Sequence, residues 1–537
     1  MSFTPARTLL HAARVLGVVL CLAATAHASS LPLVLLKPQS SPTSNTTSPS
    51  MNEGYACLFS GDYDGAIASF SRAIDEDPKS LVAYLQRATA YQNKSDYDHA
   101  LADASRAIEL DPKAGIAYGT RAMLYYLKHD FAHAISDQTE GLRLNPASTM
   151  RYYERGIDYL DSGDLDHALA DFNRVLQKDS GTTDAPDTSK IEDSSPAYGL
   201  VELDVDGFRP NHYRGVVYLR KGDFSHAEAD FTVALQGDAK SVDDYLKRGA
   251  ARAGQGLREL ALADYAQALQ LDPQNADVLN ERGGLYLREH DLTSAIADFK
   301  QAIQFSPRHA GAWNNLGLAC NDAGQPDQAI AAFTQALQFE PALAAGYYNR
   351  ALAYSAKGDY DGVIVDDTAA IQLNPGYAAA YTNRANAYMS KREWDKSFAD
   401  CVRAVQLDPH DAAACCTLGM LYAAHGEDEN ALAQYDLAIR AFEEAQPKDP
   451  RVATVYGNRA LVGMHRHDYV HAIRDLDEAV RISPNSAQWH NARGIAYAQL
   501  KDYAKAISDF KQAVAIDPAN KDAQGNLARA QALAHPQ

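Results

Sequence analysis

The sequence predicts an all-α solenoid built from 13 copies of a two-helix unit. Proline recurs at an interval of 34 residues through most of the chain. Within each interval, apolar residues recur at helical spacing in two segments, and small residues recur at one fixed place in each segment. A period of this length indicates stacked supersecondary units that bury a continuous core only by packing on their neighbours.

The recurring proline sets the frame of the repeat. When it is numbered as the 32nd of 34 positions, residues 47–182 hold repeats 1–4 and residues 208–520 hold repeats 5–13. The repeats then begin at residues 47, 81, 115, 149, 208, 242, 276, 310, 344, 378, 412, 453 and 487. The proline ends one repeat and starts the next, because it cannot continue a helix from within.

Fixed positions of the repeat predict how its two helices pack. The eighth position is glycine or alanine, as at Gly317, and the twentieth is mostly alanine, as at Ala329. Small residues at these places let two helices approach closely. Aspartate occupies the sixteenth position in nine repeats, as at Asp62 and Asp502, where it is predicted to cap the second helix.

With this pattern, residues 47–520 resemble the tetratricopeptide repeat family, and ten of the 13 repeats carry the proline. The resemblance implies a right-handed superhelix whose first helices line a concave groove that binds peptides or proteins. Residues 521–537 are predicted to form the polar helix that closes such an array.

The first 28 residues are predicted to be a secretory signal peptide. Arg7 and Arg14 give a positive start, Val15 to Ala26 form an apolar stretch, and small residues surround a cleavage point after Ala28. The stretch is too short to span a bilayer, which predicts no membrane insertion after signal removal. Residues 29–46, rich in Ser, Thr and Pro, are predicted to be a flexible tether. We therefore expect an exported protein, periplasmic or secreted.

Charge restricts the classes of partner. The net charge of −19 argues against nucleic acid and against anionic lipid surfaces, both of which need clustered Lys and Arg. Residues 183–207 are an insertion with seven acidic residues and one basic residue, which either docks a partner or extends as a solvated loop. Seven extra residues near 442–450 are expected to lengthen one second helix by about two turns.

Arginine at the seventh position occurs together with aspartate at the twenty-third. The three repeats without the arginine also lack the aspartate, and they carry Glu53, Leu316 and Leu418 instead. This co-occurrence predicts a structural ion pair between the two helices of each repeat, because the guanidinium fork holds a carboxylate in fixed geometry. The ten pairs are Arg87–Asp103, Arg121–Asp137, Arg155–Asp171, Arg214–Asp230, Arg248–Asp264, Arg282–Asp298, Arg350–Asp366, Arg384–Asp400, Arg459–Asp475 and Arg493–Asp509.

The sixth position should face the groove if the family geometry holds. It is asparagine at Asn315, Asn349, Asn383 and Asn458. An amide both donates to and accepts from a peptide backbone, so the row predicts peptide binding independent of the peptide's sequence. It resembles the asparagine ladder in the tetratricopeptide part of O-GlcNAc transferases. The alternative is a solvated row inherited by duplication.

No sequence pattern predicts catalysis, a cofactor or a metal. A P-loop, a GxSxG elbow, an HExxH motif and a Gly-rich dinucleotide turn are all missing from the sequence. The pairs His129 with His133 and His467 with His471 could hold a metal from one helix face, but His465 is the one candidate for a further ligand. The predicted function is a non-enzymatic, exported scaffold or adaptor that binds proteins or extended peptides. The alternatives are a recruiting subunit of an envelope enzyme or of an export complex, and, more distantly, an enzyme with a site on the solenoid.

Overall fold

The computed structural model describes residues 48–179, 208–444 and 449–534, and every regular element in these ranges is an α-helix. The predicted signal peptide, tether and acidic insertion lie outside the described residues. No helix in the described ranges combines the length and the apolar character that a membrane span requires. The prediction of an all-α fold is confirmed.

The chain divides into two compact segments at Leu285 and Tyr286, within helix α13. The first segment holds α1 (Pro49–Ser60), α2 (Tyr63–Glu76), α3 (Leu81–Asn93), α4 (Tyr97–Leu110), α5 (Gly115–Leu127), α6 (Phe131–Leu144), α7 (Thr149–Ser162), α8 (Leu165–Asp179), α9 (Pro210–Arg220), α10 (Phe224–Gly237), α11 (Val242–Gly254), α12 (Arg258–Leu271) and most of α13 (Ala276–Arg288).

The second segment begins with the end of α13. It continues with α14 (Leu292–Phe305), α15 (Ala310–Asp322), α16 (Pro326–Phe339), α17 (Ala344–Lys357), α18 (Tyr360–Leu373), α19 (Ala378–Ser390), α20 (Trp394–Leu407), α21 (Ala412–Ala424), α22 (Asp428–Glu444), α23 (Val452–His465), α24 (Tyr469–Ile482), α25 (Ala487–Gln499), α26 (Tyr503–Ile516) and α27 (Lys521–Ala534).

Each repeat contributes one odd-numbered and one even-numbered helix, as the sequence frame predicts. Within each segment the two helices of a repeat pack together, and the second helix packs on the first helix of the next repeat. The first helices also contact those of neighbouring repeats, for example α7 with α9 and α21 with α23. Within each segment the helix pairs therefore stack with their odd-numbered helices in a row, which is the solenoid predicted from the repeat.

The predicted aspartate caps are confirmed in all nine repeats that carry them. In each, a carboxylate oxygen accepts a hydrogen bond of 3.0–3.4 Å from the backbone N–H three residues later. Three repeats with Leu257, Gln325 or Glu393 at this position have no side-chain cap. Satisfying one of the free N–H groups of a helix start fixes where the second helix begins.

Glycine at the eighth position makes room for an aromatic ring at the twenty-fourth. A Cβ atom placed on Gly317 would lie 2.6 Å from Cε1 of Phe333, and one on Gly249 would lie 2.6 Å from Cε1 of Tyr265. The eight repeats with glycine all carry Phe or Tyr at position 24, whereas the five with alanine carry Ala104, Gln138, Asp367, Cys401 or Leu476 there. Ring and glycine are thus one packing unit, which the sequence analysis missed.

One second helix, α22, is longer than the others. Helix α22 has 17 residues, three more than the 14 of most second helices, and residues 445–448 that follow it are outside the described ranges. The lengthening in the described part is therefore less than the two turns predicted.

Helix α27 packs on α26 and buries Ala523 and Ala530, as a closing helix should.

Candidate functional site

Arginine and aspartate of the same repeat form a two-pronged ion pair between its two helices. In each of nine repeats, Nε and Nη2 of the arginine donate to the two oxygens of the aspartate over 2.6–3.1 Å. The pairs Arg87–Asp103, Arg384–Asp400 and Arg493–Asp509 are among them. Arg282 and Asp298 belong to different segments, and their pairing stays a prediction.

The same arginine also reaches the preceding repeat, a contact that the sequence analysis missed. In all nine repeats, Nη1 donates to a side-chain oxygen at position 25 of the repeat before, over 2.6–3.3 Å. The acceptors are Ser71, Ser105, Thr139, Asn173, Thr232, Thr334, Thr368, Asp436 and Asp477. Lys300 and Val402 stand there before two repeats that lack the arginine. Each of these nine arginines therefore joins three helices, and the pattern was available in the sequence, with Ala266 before Arg282 as its exception.

The predicted asparagine row is partly occupied by contacts within the protein. Asn349 is buried, with 6% of its surface exposed, and its Nδ2 donates to Oδ1 of Asn314 over 3.2 Å. Nδ2 of Asn383 donates to Oδ2 of Asp367 over 2.8 Å. Asn315 and Asn458 are partly buried. At Asn349 and Asn383 one amide hydrogen bond is thus already used.

Asp367 stands where other repeats carry the ring at position 24. It is fully buried, and Oδ1 has no hydrogen-bond partner among the described residues. Burial is the main cause that holds the pKa of this carboxyl well above its usual range, and the amide of Asn383 opposes that shift. The buried carboxyl of Asp367 therefore fixes the orientation of the Asn383 side chain. Position 8 of the same repeat is Ala351, as expected for a repeat without an aromatic ring at position 24.

Beside Asn458 the row of first helices opens into a cavity of about 300 Å³. Its walls come from α21, α22 and α23, and the apolar part consists of Met420, Ala423, Tyr435, Leu461 and Val462. Leu461, in the middle of α23, is 42% exposed. An apolar wall with an exposed leucine is a surface that can bury a partner's side chain.

Polar groups occupy one side of this cavity. Asn458 lines it, near the thiol of Cys416, whose pKa burial raises to about 11. At the rim, Nδ1 of His465 lies 3.0 Å from Oδ2 of Asp428. The cavity thus combines an apolar wall with an amide, a histidine and a carboxylate, the mixture typical of ligand pockets.

The recurring histidines belong to the starts of the second helices. Nδ1 of His99, His133, His167, His226 and His471 lies 2.7–2.8 Å from the capping aspartate of the same helix. Four of these rings also stack on a tyrosine of the first helix, with centroids 4.9–5.1 Å apart. These contacts explain the histidine stripe without a ligand. The described residues contain no cluster of three or more His, Cys, Asp or Glu suited to a metal ion.

Three solved structures resemble this chain. The APC/C hetero-tetramer Cut9-Hcn1 has a TM-score of 0.47 and 18% identity, covering 90% of this chain and 96% of that one. Yeast Tom70 has a TM-score of 0.33 and 17% identity, covering 90% and 95%. A tetratricopeptide repeat protein from Parabacteroides merdae has a TM-score of 0.37 and 20% identity, covering 48% and 99%. No curated protein matches the chain.

Family models described as tetratricopeptide repeat match six stretches of the sequence. They cover residues 50–80, 81–113, 246–310, 310–343, 423–487 and 487–520. The matches at 310–343 and 487–520 coincide with repeats 8 and 13 in the frame that the recurring proline sets.

Proposed function

Because the chain belongs to the tetratricopeptide repeat family, we propose that it is a non-enzymatic scaffold that binds an extended segment of a partner protein along its first helices. The coarse role, protein–protein interaction, is the one that this family supports. The finer assignment places the bound segment on the first helices of residues 310–486. The cavity beside Asn458 is the observation that carries this assignment, since it offers a partner both an apolar wall and polar groups.

The cavity suits an apolar side chain of an extended peptide. Covering the exposed face of Leu461 and the walls from Met420 and Val462 removes apolar surface from water, which favours binding by about 25 cal/mol per Å². Asn458, at the same wall, has an amide that suits the peptide backbone next to the buried side chain. Buried anchors of this kind supply most of the affinity in protein interfaces.

The asparagine row extends the proposed site toward the start of the second segment. Asn315, Asn349 and Asn383 stand at the same position of three successive repeats. The NH₂ group of Asn349 donates to Asn314, and that of Asn383 donates to Asp367. The carbonyl oxygen of each amide can accept a hydrogen bond from a backbone N–H. We propose that these oxygens accept from the backbone of the bound segment.

Replacing Leu461 by aspartate is expected to weaken peptide binding by roughly 30-fold, because it places a carboxylate where an apolar side chain would be buried. The probes are peptides selected from a phage-displayed random library on the full chain, and their dissociation constants are measured by fluorescence anisotropy. Asn458→Ala is expected to weaken the same peptides less.

Val470→Asp is the matched control, since Val470 lies in the same repeat on the second helix and is 52% exposed. It makes the same change of charge and should leave the dissociation constants within a factor of two. Equal losses at Leu461 and Val470, or selected peptides without an apolar residue, would contradict the proposed pocket.

We further propose that the protein is exported through its first 28 residues. Its support is the sequence: a positive start, an apolar stretch and small residues at a cleavage point. Deleting residues 15–26 from a fusion to alkaline phosphatase, which is active only outside the cytoplasm, is expected to abolish phosphatase activity. A fusion that keeps its activity after the deletion would show that these residues do not direct export.

A further inference from the structure

Three carboxylates lie on one face of α7, the first helix of repeat 4. Glu154, Asp158 and Asp161 are spaced i, i+4 and i+7, which places them along a single stripe of the helix. Asp158 is 4% exposed, Glu154 is partly buried and Asp161 is exposed. Asp158 is therefore the buried member of this row of acids, and Glu154 and Asp161 are nearer the surface.

The floor of this stripe contains an unpartnered acid. Oδ2 of Asp158 has no hydrogen-bond partner among the described residues. A buried polar atom without a partner costs free energy, so such atoms are rare in native proteins and call for an explanation. A ligand that donates a hydrogen bond would supply the missing partner.

Neighbouring helices hold the other two carboxylates in place. Nε2 of Gln138, on α6, donates to Oε2 of Glu154 over 3.0 Å, and the hydroxyl of Tyr126, on α5, donates to Oδ2 of Asp161 over 2.7 Å. Tyr213, on α9, adds a second aromatic ring close to Asp161. The positions of the acids are thus set by the protein before any ligand arrives.

Cations also lie near the row of acids: Nη1 of Arg220 donates to the backbone carbonyl of Leu160 over 2.8 Å, and Arg209 acts on Tyr213. Arg151 is the cation that acts on Glu154, and its Nη1 already donates to Oε1 of Gln138 over 3.2 Å. Burial, with the nearby charges of Glu154 and Asp161, raises the pKa of Asp158 to about 8. At neutral pH this carboxyl carries a proton that it would release next to a positive charge.

We propose that the face of α7 that carries these acids binds a lysine side chain of a partner polypeptide, whose ammonium group lies against Asp158 with Glu154 and Asp161 on either side. An ammonium has three N–H donors and no acceptor, which suits a site whose polar groups are carboxylates. The rings of Tyr126 and Tyr213 suit the apolar stem of the lysine and its charge. This site lies in the first segment and is independent of the pocket beside Asn458.

The proposal predicts that binding releases a proton. At pH 7 the carboxyl of Asp158 is mostly neutral, and an ammonium beside it favours the ionised form. Affinity should therefore rise between pH 7 and pH 9, where Asp158 is already ionised and lysine keeps its charge. The rise should be lost in Asp158→Asn, whose side chain has the same shape and does not titrate.

Calorimetry on the full chain at low salt tests the site with acetylated, amidated tetralysine as the probe. The same peptide acetylated on every side chain should bind at least tenfold more weakly, since it lacks the ammonium groups. Asp158→Asn, and the double variant Glu154→Gln with Asp161→Asn, should each weaken the binding of tetralysine about tenfold. At pH 7 the measured heat should differ between phosphate and Tris for the wild type and not for Asp158→Asn, because these buffers take up the released proton with different enthalpies.

Asp75→Asn is the control, since Asp75 is exposed in the same segment and the change removes one carboxylate from it. It should alter the dissociation constant by less than a factor of two, and circular dichroism should show every variant folded. Equal binding of the acetylated peptide, or an equal loss in Asp75→Asn, would overturn the proposal by showing general attraction to an acidic chain. Tight binding of spermidine without binding of tetralysine would assign the site to polyamines instead.

Discussion

Replacing Phe333 by alanine is expected to lower the free energy of unfolding by about 3–5 kcal/mol, the usual cost of removing a buried phenylalanine ring. Phe333 is fully buried, and it packs among Phe299, Leu316 and Ala353. The ring also lies over Gly317, where a Cβ would come within 2.6 Å of Cε1. Urea denaturation and hydrogen exchange in α15 and α16 measure the loss.

The effect of Gly317→Ala on stability is expected to have opposite signs in the wild type and in Phe333→Ala. In the wild type, Gly317→Ala is expected to destabilise, because overpacking costs about 1–3 kcal/mol and exceeds the helix preference of alanine. In Phe333→Ala the ring is gone, so the same change should stabilise by filling space and favouring helix. Ala88 and Ala104 show this combination in repeat 2. The same sign in both backgrounds would contradict the coupling of ring and glycine.

Replacing Asp103 by alanine is expected to destabilise by about 1–3 kcal/mol, because the guanidinium of Arg87 would stay largely buried without its carboxylate. The side chains of Arg87 and Asp103 are 20% and 8% exposed, and two hydrogen bonds of 2.8 and 2.7 Å join them. Ser71→Ala should cost less than 1 kcal/mol, because it removes one hydroxyl acceptor at 3.0 Å. Thermal and urea unfolding of the three proteins give the order.

The double variant Arg87→Leu with Asp103→Ala is the informative partner, because it installs the residues that Leu316 and Ala332 supply in repeat 8. Removing both charges leaves no uncompensated ion, so much of the loss should be recovered. A double variant as unstable as the sum of both single variants would show that the two side chains act independently.

Much of the fold could be predicted from the sequence because the repeat is local and periodic. The 34-residue interval of proline, the small residues and the aspartate at position 16 each act within one helix or between adjacent helices. The helix pairs and all nine aspartate caps accordingly appear where the sequence places them. The arginine and aspartate of one repeat could be paired from co-occurrence alone, since 13 copies test the pairing within a single chain.

The candidate sites were harder to predict because they depend on contacts between repeats. The asparagine row is regular in sequence, yet packing buries Asn349 and joins Asn383 to Asp367. The contact of each arginine with position 25 of the preceding repeat follows from how far one helix pair is stacked on the next.

The sequence by itself determined the solenoid, its frame, its caps and its ion pairs, because these follow from period and from chemistry within one repeat. Only the tertiary structure decided where the array opens and what is left without a partner. The cavity beside Asn458 needs walls from three helices. Oδ2 of Asp158 is without a hydrogen-bond partner because none of the described residues around it supplies one. Both are properties of stacked surfaces, which depend on the shape and burial of residues far apart in the chain.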